Sequence, residues 1–513
     1  MDTSSIGGLL ERGDPSASAV GAPDRVPPLH YRDLAALAHR TVERLNALGI
    51  GRGDRVAIVL ANGPEAATAF VCMAAGATTA PLNPAYRADE YHFYLSDLRA
   101  KALVVEAGID SPARAVAREL AIPIIELHPQ REHGAGTFTL EPLGPARGPS
   151  PRGGFGDAGD TALVLHTSGT TARPKIVPLL QRNVLASARH IAATLALGPA
   201  DVCLNVMPLF HIHGLIAGTL ASLAAGAQVC CSPHFSALRF FAWLEEVRPT
   251  WYTAVPSMHQ AVLSRAARHP EAAARGRLRF VRSSSARLPV RVMKELERVF
   301  NAPLIEAYGM TETAHQIASN PLPPGQRAAG SVGRAAGPEV GVMDERGGLV
   351  KAGETGEIVV RGPNVMPSYE NNPEANARAF SDGWFRTGDQ GVLDAEGYLR
   401  ITGRLKELIN RGGEKISPSE VDEVLMHHPG VHQAVTFAVN HASLGEEVAA
   451  AVVLHEGQST TEHELKAFAA EHLAHFKVPR KILFVREIPK GPTGKVQRIG
   501  LAAKLGIDSA SEP

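Results

Sequence analysis

The segment from His166 to Lys175, which reads HTSGTTARPK, has residue types that bind phosphate oxygens. The run Thr167 to Thr171 offers hydroxyl groups and backbone N–H groups, and a lysine that follows a proline comes after it. The GxxxxGK[ST] pattern of a Walker-type phosphate loop is absent from the sequence. A loop of serine, threonine and glycine is often a plain turn, so this segment alone leaves both interpretations open.

A second polar segment follows the strand-like residues 303–307. It contains Tyr308, Thr311 and Glu312 within the string YGMTE. A tyrosine ring can stack on a purine, a threonine hydroxyl can bind a phosphate oxygen, and a carboxylate can bind Mg²⁺ through that phosphate. These residues are therefore candidates for a nucleotide site.

Three more polar residues lie towards the carboxyl end of the chain. Asp389, in GWFRTGD, has two oxygens that can accept hydrogen bonds from both hydroxyls of a ribose, and Arg404 supplies further donors. Lys495 lies in the turn-like string PKGPTGKVQR. Each residue is ambiguous in isolation, because an aspartate after Thr-Gly is usually a cap and a lysine near the chain end is usually solvated.

The elements that position these residues are predicted from hydrophobic patterns. Residues 55–60 and 78–83 are short strand-like runs, and the small-residue segment 64–76 between them is helix-like. A strand, a helix and a strand in this order predict parallel sheets with right-handed crossovers. Residues 32–49 predict an amphipathic helix, and residues 129–160, which are dense in glycine and proline, predict a loop.

The pattern of predicted secondary structure changes twice in the second half of the chain. Residues 330–402 have short strands and glycine turns, which predict a β-rich subdomain, and residues 416–501 return to a mixed α/β pattern. Of 12 lysines, 8 lie from Lys406 onward, so the last hundred residues differ in composition. We therefore predict an α/β protein with a boundary near residues 403–406, between a large N-terminal domain at 1–403 and a small α+β domain at 407–513.

Composition narrows the possible functions. The 513 residues include 52 Lys+Arg and 52 Asp+Glu, so there is no global charge to attract nucleic acid or lipid. No stretch approaches the roughly 18 apolar residues of a membrane span, and the N-terminal sequence has no signal-peptide pattern, so we expect a cytoplasmic protein. The four cysteines lack metal-site spacing. The oligomeric state is not predicted.

Taken together, in this order and spacing, the four motif segments resemble the adenylate-forming superfamily of acyl-CoA synthetases, adenylation domains and firefly luciferase. The resemblance extends over about residues 30–500 and implies stacked, mostly parallel sheets in the large domain. It also implies a two-step ligase. A carboxylate attacks the α-phosphate of ATP to give an acyl-adenylate and pyrophosphate, and a thiol, that of coenzyme A, then attacks the activated carbonyl and releases AMP.

The resemblance assigns roles to individual residues. It implies an adenylation lysine at Lys495, and Mg²⁺ and phosphate contacts at Glu312 and Thr311. It also implies a hinge at 404–406, centred on Lys406, about which the small domain at 407–513 is mobile. The cofactor-binding positions that it implies are Thr167, Ser168, Gly169, Thr170, Thr171 and Lys175 for phosphate, Tyr308 for adenine, Asp389 and Arg404 for ribose, and Gly412 and Gly413 for the coenzyme A tunnel.

Two positions depart from the pattern of most relatives. Ala172 and Ile176 stand where glycines are usual. If either backbone position required a positive φ, a side chain there would be costly, and a β-branched one especially so. Neither change removes a phosphate-binding hydroxyl.

The segments that correspond to the acid pocket are polar. They contain His211, the serines Ser283, Ser284 and Ser285, and His315, and these strings are similar to the oxalate–CoA ligase branch. A ligase for fatty or aryl acids would be expected to have apolar and small residues at these positions. His211 is also a catalytic candidate, although a structural histidine explains each histidine about equally well.

The sequence leaves several functions open. The favoured one is a coenzyme A ligase for a small polar carboxylic acid, with oxalate as the expected acid. Alternatives are a ligase for a medium-chain or aromatic acid and an adenylation enzyme that loads a separate carrier protein. A non-catalytic nucleotide-binding protein and a luciferase-type oxygenase are less favoured.

Overall fold

The structure is a computed structural model, and it describes residues 4–11, 13–145, 148–167, 174–274, 276–489 and 496–507. Their contacts divide the chain into two compact units. The first comprises the described residues up to 167, residues 174–340 and residues 360–385. The second comprises residues 341–359 and the described residues from 386 onward.

The first third of the chain alternates helices and strands, as its hydrophobic runs predict. Its elements are α1 (Ile6–Leu10), β1 (Ser18–Gly21), β2 (Leu29–His30), α2 (Tyr31–Ala47), β3 (Arg55–Val59), α3 (Pro64–Ala74), β4 (Thr78–Pro81), α4 (Ala88–Leu98), β5 (Ala102–Glu106), α5 (Pro112–Glu119), β6 (Ile124–Pro129), β7 (Phe138–Pro142) and β8 (Thr161–Thr167).

The same alternation continues to residue 335. The elements are β9 (Lys175–Leu180), α6 (Gln181–Thr194), β10 (Val202–Asn205), α7 (Ala221–Ala224), β11 (Gln228–Cys231), α8 (Phe240–Val247), β12 (Trp251–Ala254), α9 (Pro256–Ala266), α10 (Pro270–Ala274), β13 (Phe280–Ser283), α11 (Val290–Phe300), β14 (Leu304–Tyr308), β15 (Ala318–Ser319) and β16 (Arg334–Ala335). A π-helix, His213–Leu220, precedes α7, and a 3-10 turn, Thr311–Thr313, follows β14.

Two large sheets organise the first unit. In the described residues one has seven strands in the order β7-β6-β5-β3-β4-β8-β9, and the other has nine in the order β16-β15-β14-β13-β12-β10-β11-β1-β2. Their central strands are parallel, and antiparallel strands lie at the ends. The carboxyl ends of neighbouring parallel strands meet at one edge, which is where loops such as those after β10, β13 and β14 come together.

Helix α3 lies inside this unit. All its residues are buried, and it contacts β4 of the seven-stranded sheet and β1 and β11 of the nine-stranded sheet. Its sequence, PEAATAFVCMA, is mainly small and apolar, as expected for a helix without a solvent face. The stacked, mostly parallel sheets expected from the resemblance are thus confirmed.

The expectation of a loop throughout 129–160 was wrong in part. Residues 138–142 form β7, which pairs antiparallel with β6. Phe138 and Leu140 are buried, while Thr139 and Glu141 are exposed. The period-2 alternation of a strand was present, but the flanking glycines and prolines concealed it.

A β-rich region follows, as predicted. Its elements are β17 (Glu339–Met343), β18 (Thr355–Arg361), α12 (Pro373–Ala379), β19 (Phe380–Ser381), β20 (Trp384–Leu393) and β21 (Leu399–Arg404). The strands form a sheet in the order β17-β18-β20-β19, with β21 also paired to β20.

The remaining elements form a small α+β arrangement in the second unit. They are β22 (Ile409–Arg411), β23 (Glu414–Ile416), α13 (Pro418–His427), β24 (Val431–His441), β25 (Gly445–Leu454), α14 (Glu462–His472), β26 (Lys481–Phe484) and α15 (Leu501–Lys504). Strands β22 to β26 make one sheet, and α13 packs on β24. None of the helices in the described ranges is both long and apolar enough to cross a bilayer.

Candidate active site

A buried arginine at the end of β13 organises a polar cluster in the first unit. The Arg282 side chain is almost fully buried, and its Nη1 donates to Nε2 of His213 at 3.3 Å. Its Nη2 donates to Nε2 of His315 at 3.1 Å and to Oε1 of Gln316 at 3.2 Å. The two imidazole rings are stacked, with centroids 4.9 Å apart. We refer to Arg282, His213, His315 and Gln316 as the Arg282 cluster.

The hydrogen bonds determine the protonation of the imidazoles. Because a guanidinium only donates, each Nε2 must be an acceptor, so we assign the proton of His213 and of His315 to Nδ1. Nδ1 of His213 then donates to Oγ of Ser285 at 3.0 Å. Burial lowers the pKa of Arg282 to about 10, so the guanidinium stays charged at neutral pH. The cluster is thus cationic and rich in donors.

His213 is positioned by the π-helix that begins with it. Asn205, at the end of β10, donates through Nδ2 to the Gly214 carbonyl at 3.0 Å. A side chain at Gly214 would meet the Pro208 carbonyl at 2.4 Å, and one at Gly218 would meet Asn205 at 2.5 Å. Both glycines are therefore needed for this close approach, which is consistent with the frequent use of π-helical turns at functional sites.

His315 is positioned by the loop that follows β14. A side chain at Gly309 would lie 1.2 Å from the His315 carbonyl, so only glycine lets the loop fold back. Ala314 and His315 have positive φ values of 47° and 95°. Asn364 donates to the carbonyls of Thr313 at 2.8 Å and Gln316 at 2.7 Å. Unfavourable backbone conformations that are held by such contacts are common at functional sites.

The three predicted serines have different surroundings. Ser285 has a φ of 73° and contacts His213. Ser284 donates to the Ala307 carbonyl at 2.9 Å, so its hydroxyl proton is used by the backbone. Oγ of Ser283 is buried, and none of the residues that the structure describes forms a hydrogen bond with it. Of the three, Ser285 is therefore the one that the structure joins to the Arg282 cluster.

His211 lies two residues before the π-helix and is half-buried, with its ring 5.0 Å from that of Phe210. His211 was predicted as a site residue, whereas His213 was not, and Arg282 was placed in a pocket-forming segment without a role of its own. Two signals were available: the repeated histidine in HIHG, and an arginine directly after the apolar pair Phe-Val in the strand FVRS.

A second group of predicted residues lies around Glu312. Tyr308 is buried at the end of β14, and Thr311 and Glu312 lie in the 3-10 turn after it. The buried Glu312 carboxylate accepts a hydrogen bond from the Tyr369 hydroxyl at 2.8 Å. Nζ of Lys175 lies 4.1 Å from the centre of the same Tyr369 ring. Tyr369, which was not among the predicted site residues, thus contacts both Glu312 and Lys175.

The predicted phosphate loop is only partly described. Thr167 ends β8 and is the register partner of Lys175, which begins β9. Ser168, Gly169, Thr170, Thr171 and Ala172 lie outside the described residues. Ile176 pairs with His166 within the β-ladder, its side chain is buried, and it is not among the residues with positive φ. The Ile176 side chain therefore causes no backbone strain.

The predicted ribose-binding residues meet in the second unit. Asp389 and Arg404 are register partners on β20 and β21, and their carboxylate and guanidinium are 3.2 Å apart. Lys406 is exposed in the 3-10 turn Leu405–Glu407 that follows β21. Gly412 and Gly413 have φ values of 58° and 97° in the turn between β22 and β23. Lys495 lies outside the described residues.

A buried ion pair anchors the chain just after Lys495. The Arg498 guanidinium lies 2.7 Å from the Asp422 carboxylate on α13 and 3.3 Å from that of Glu407. Burial raises the pKa of Asp422. Arg498 therefore connects the segment after Lys495 to the residue that follows Lys406.

Comparisons with known proteins agree with this chemistry. The family model for AMP-binding enzymes matches residues 13–370, and the model for the AMP-binding enzyme C-terminal domain matches residues 420–495. An oxalate–CoA ligase of Arabidopsis thaliana is 43% identical, with 97% of this chain and 98% of the relative covered. A sulfoacetate–CoA ligase of Cupriavidus necator is 37% identical, with 94% and 93% covered. The crystal structure of ATP-bound MatB from Rhodopseudomonas palustris has a TM-score of 0.86 at 29% identity, with 98% and 99% covered.

Proposed function

This chain belongs to the AMP-binding enzyme family and is an ATP-dependent acid–CoA ligase, and from that premise we propose that its acid substrate is oxalate. The observation that carries the proposal is the Arg282 cluster. A buried cation with two imidazoles suits a small acid that keeps a negative charge while its other carboxylate reacts. An alkyl or aryl acid has no second charge to interact with this buried cation.

In the first half-reaction, one oxalate carboxylate oxygen attacks the α-phosphorus of ATP, and pyrophosphate leaves with the bonding electron pair. We propose that Tyr308 stacks on adenine, that Thr311 binds a phosphate oxygen, and that Thr167, Lys175 and the hydroxyls and N–H groups between them bind the other phosphates. Positive and hydrogen-bonding groups are effective here because negative charge accumulates on the transferring phosphorus group. These roles rest on the family resemblance and on the polar chemistry of the side chains.

The residues around Glu312 fit a magnesium ion that is bound mainly through the nucleotide. Among the described residues there is no group of three or more acidic, histidine or cysteine side chains that could hold a metal alone. A single buried carboxylate is nevertheless what Mg²⁺ uses when substrate phosphates and water complete its coordination. We propose that Glu312 holds Mg²⁺, which neutralises phosphate charge, and that Tyr369 fixes the carboxylate through its hydrogen bond.

We propose that the second unit supplies further contacts. Asp389 accepts hydrogen bonds from the ribose hydroxyls, and Arg404 orients Asp389 through the observed ion pair. Lys495 balances charge as the carboxylate meets the α-phosphorus. In the second half-reaction the thiol of coenzyme A attacks the carbonyl carbon, and AMP leaves.

The change between half-reactions requires a movable connection. We propose domains at 1–403 and 407–513 joined by a hinge at 404–406, in which Lys406 changes its backbone conformation. Lys406 is exposed, so its side chain does not obstruct such a change. Gly412 and Gly413, with their positive φ values, then belong to the coenzyme A tunnel.

The non-reacting carboxylate of oxalate needs donors around it. We propose that His315, His211 and the segment Ser283–Ser285 provide them, with Ser285 the best placed of the serines because it contacts His213. Sulfoacetate is the second candidate substrate, since a relative at 37% identity is named for it. Like oxalate, sulfoacetate is a two-carbon acid with a second anionic group.

The test is a pyrophosphate-release screen with oxalate, sulfoacetate, malonate, acetate, hexanoate and a hydroxycinnamate, with detection of the coenzyme A thioester and AMP. We expect oxalate to have the highest kcat/KM. Higher activity with hexanoate or a hydroxycinnamate would refute the oxalate proposal. Adenylate formation without thioester formation from free coenzyme A would instead favour a carrier protein as the acceptor.

The His315→Ala variant tests the acid site directly. It should lower kcat/KM for oxalate by about 2 kcal/mol or more, the cost of leaving buried groups unpaired, with little effect on ATP binding. His463→Ala, which changes an exposed histidine on α14, is the matched control and should retain full activity. Equal kinetics in both variants would contradict a role for His315 in acid binding.

A further inference from the structure

Arg282 is a buried cation without a carboxylate partner among the described residues. Its contacts are with the neutral groups His213, His315, Gln316 and Thr253. Its Nε is buried and has no hydrogen-bond partner within the described part of the chain. Burial of a charge is costly unless a counter-charge or a full set of hydrogen bonds offsets it.

The nearby thiol does not supply the missing charge. Cys203 is fully buried, and burial raises the pKa of this thiol well above its ordinary value, so it stays protonated and neutral. The other ion pairs of the nine-stranded sheet involve different arginines, for example Arg279 with Asp201 at 2.6 Å. Arg279 is partly exposed and has a carboxylate, whereas Arg282 is buried and has none among the described residues.

The hydrogen bonds of Arg282 determine the protonation of two neighbouring histidines. By donating to both Nε2 atoms, the guanidinium holds His213 and His315 as neutral imidazoles with their protons on Nδ1. These histidines come from two different segments, the π-helix after β10 and the loop after β14. Removing the guanidinium would take away a donor that fixes the tautomer of each ring, while the Thr253 hydroxyl would remain 2.6 Å from Nε2 of His213. Arg282 thus determines which nitrogen of each imidazole carries the proton.

We infer that Arg282 is a specificity-determining residue, whose buried charge requires a second anionic group on the acid substrate. It acts as a positioning residue through His213 and His315. The chemical class that satisfies it is a short acid whose non-reacting end is a carboxylate or another permanently charged oxyanion. The inference rests on the proposed function and extends it, because it assigns the preference for a second charge to one residue.

The test compares oxalate with oxamate, in which a neutral amide replaces one carboxylate at nearly the same size. In the wild-type enzyme, kcat/KM from pyrophosphate release should be about 100-fold or more higher for oxalate than for oxamate. Arg282→Met should reduce this ratio at least about tenfold, mainly through KM for oxalate, and Arg282→Lys should restore part of it. Arg291→Met, at an exposed position on α11, is the matched control and should leave the ratio unchanged.

The outcomes of this test distinguish a failure of the proposed function from a failure of the inference about Arg282. If the wild-type enzyme turns over acetate or hexanoate better than oxalate, the proposed function fails, and the inference fails with it. If it prefers oxalate to those acids but uses oxamate equally well, the inference alone is overturned. The inference is also overturned if Arg282→Met lowers activity on both substrates by the same factor, because a purely structural role would do so. If Arg282→Met does not fold, equal use of oxalate and oxamate by the wild-type enzyme still overturns the inference.

Discussion

Replacing Tyr369 by phenylalanine isolates one hydrogen bond in the candidate nucleotide site. The Tyr369 hydroxyl donates to the buried Glu312 carboxylate at 2.8 Å, while the ring lies 4.1 Å from Nζ of Lys175. Phenylalanine keeps the ring, and therefore the cation–π contact, but removes the donor. A hydrogen bond to a charged group contributes about 1.5–3 kcal/mol, so kcat/KM for ATP in pyrophosphate release should fall by roughly 10- to 150-fold.

Two further variants show whether the loss is transmitted through Glu312. The Glu312→Gln, Tyr369→Phe double variant should be no slower than Glu312→Gln alone, because the hydroxyl has then lost its charged partner. Tyr252→Phe removes another buried tyrosine hydroxyl, which lies 3.1 Å from His259 and away from this site. It should leave kcat/KM for ATP near the wild-type value. Wild-type kinetics in Tyr369→Phe, or additive losses in the double variant, would refute the role given to this contact.

Three other predictions concern the half-reactions and stability. Lys495→Ala should slow adenylate formation by about 100-fold or more but largely spare thioester formation from supplied acyl-adenylate, and equal losses in both steps would contradict that role. Lys406→Pro should show the converse, and normal rates in both half-reactions would exclude the hinge. Burial lowers the pKa of His259 to about 4, so its contribution to stability is present above pH 6.5 and is lost as the pH falls towards 4. This loss is about 3 kcal/mol. The free energy of unfolding of His259→Phe, measured with urea, should therefore depend less on pH between 7 and 4 than that of the wild type. An unchanged pH dependence would refute this prediction.

The sequence predicted the elements of the fold better than the contacts of the site. Apolar runs located strands such as β3, β4 and β8, since burial against a sheet requires apolar side chains over short lengths. The strand β7 was missed because its alternation is short and lies between glycines and prolines. A helix or strand was therefore predicted wherever its hydrophobic pattern extended over enough residues.

Site residues were proposed from the sequence where the family resemblance gave them a role. Residues whose place in the site depends on a contact with a distant part of the chain were not proposed. The contact between Tyr369 and Glu312 joins residues 57 positions apart, and that between Arg282 and His213 joins residues 69 apart. Nothing local in the sequence links such pairs. The resemblance assigned Asp389 and Arg404 to the ribose, and the structure makes them register partners on neighbouring strands of one antiparallel ladder.

Helix α3 has a consequence for how the first unit opens. A helix at the surface can fray and exchange its amide protons with solvent while the core stays intact. Helix α3 has no such route, because all its residues are buried and it contacts strands of both large sheets. Its amide protons can exchange only when the sheets separate, so their exchange rate measures the global opening of the unit. The exchange rate of the α3 amides therefore shows whether a bound ATP or acid substrate stabilises the whole unit or only the loops that bind the ligand.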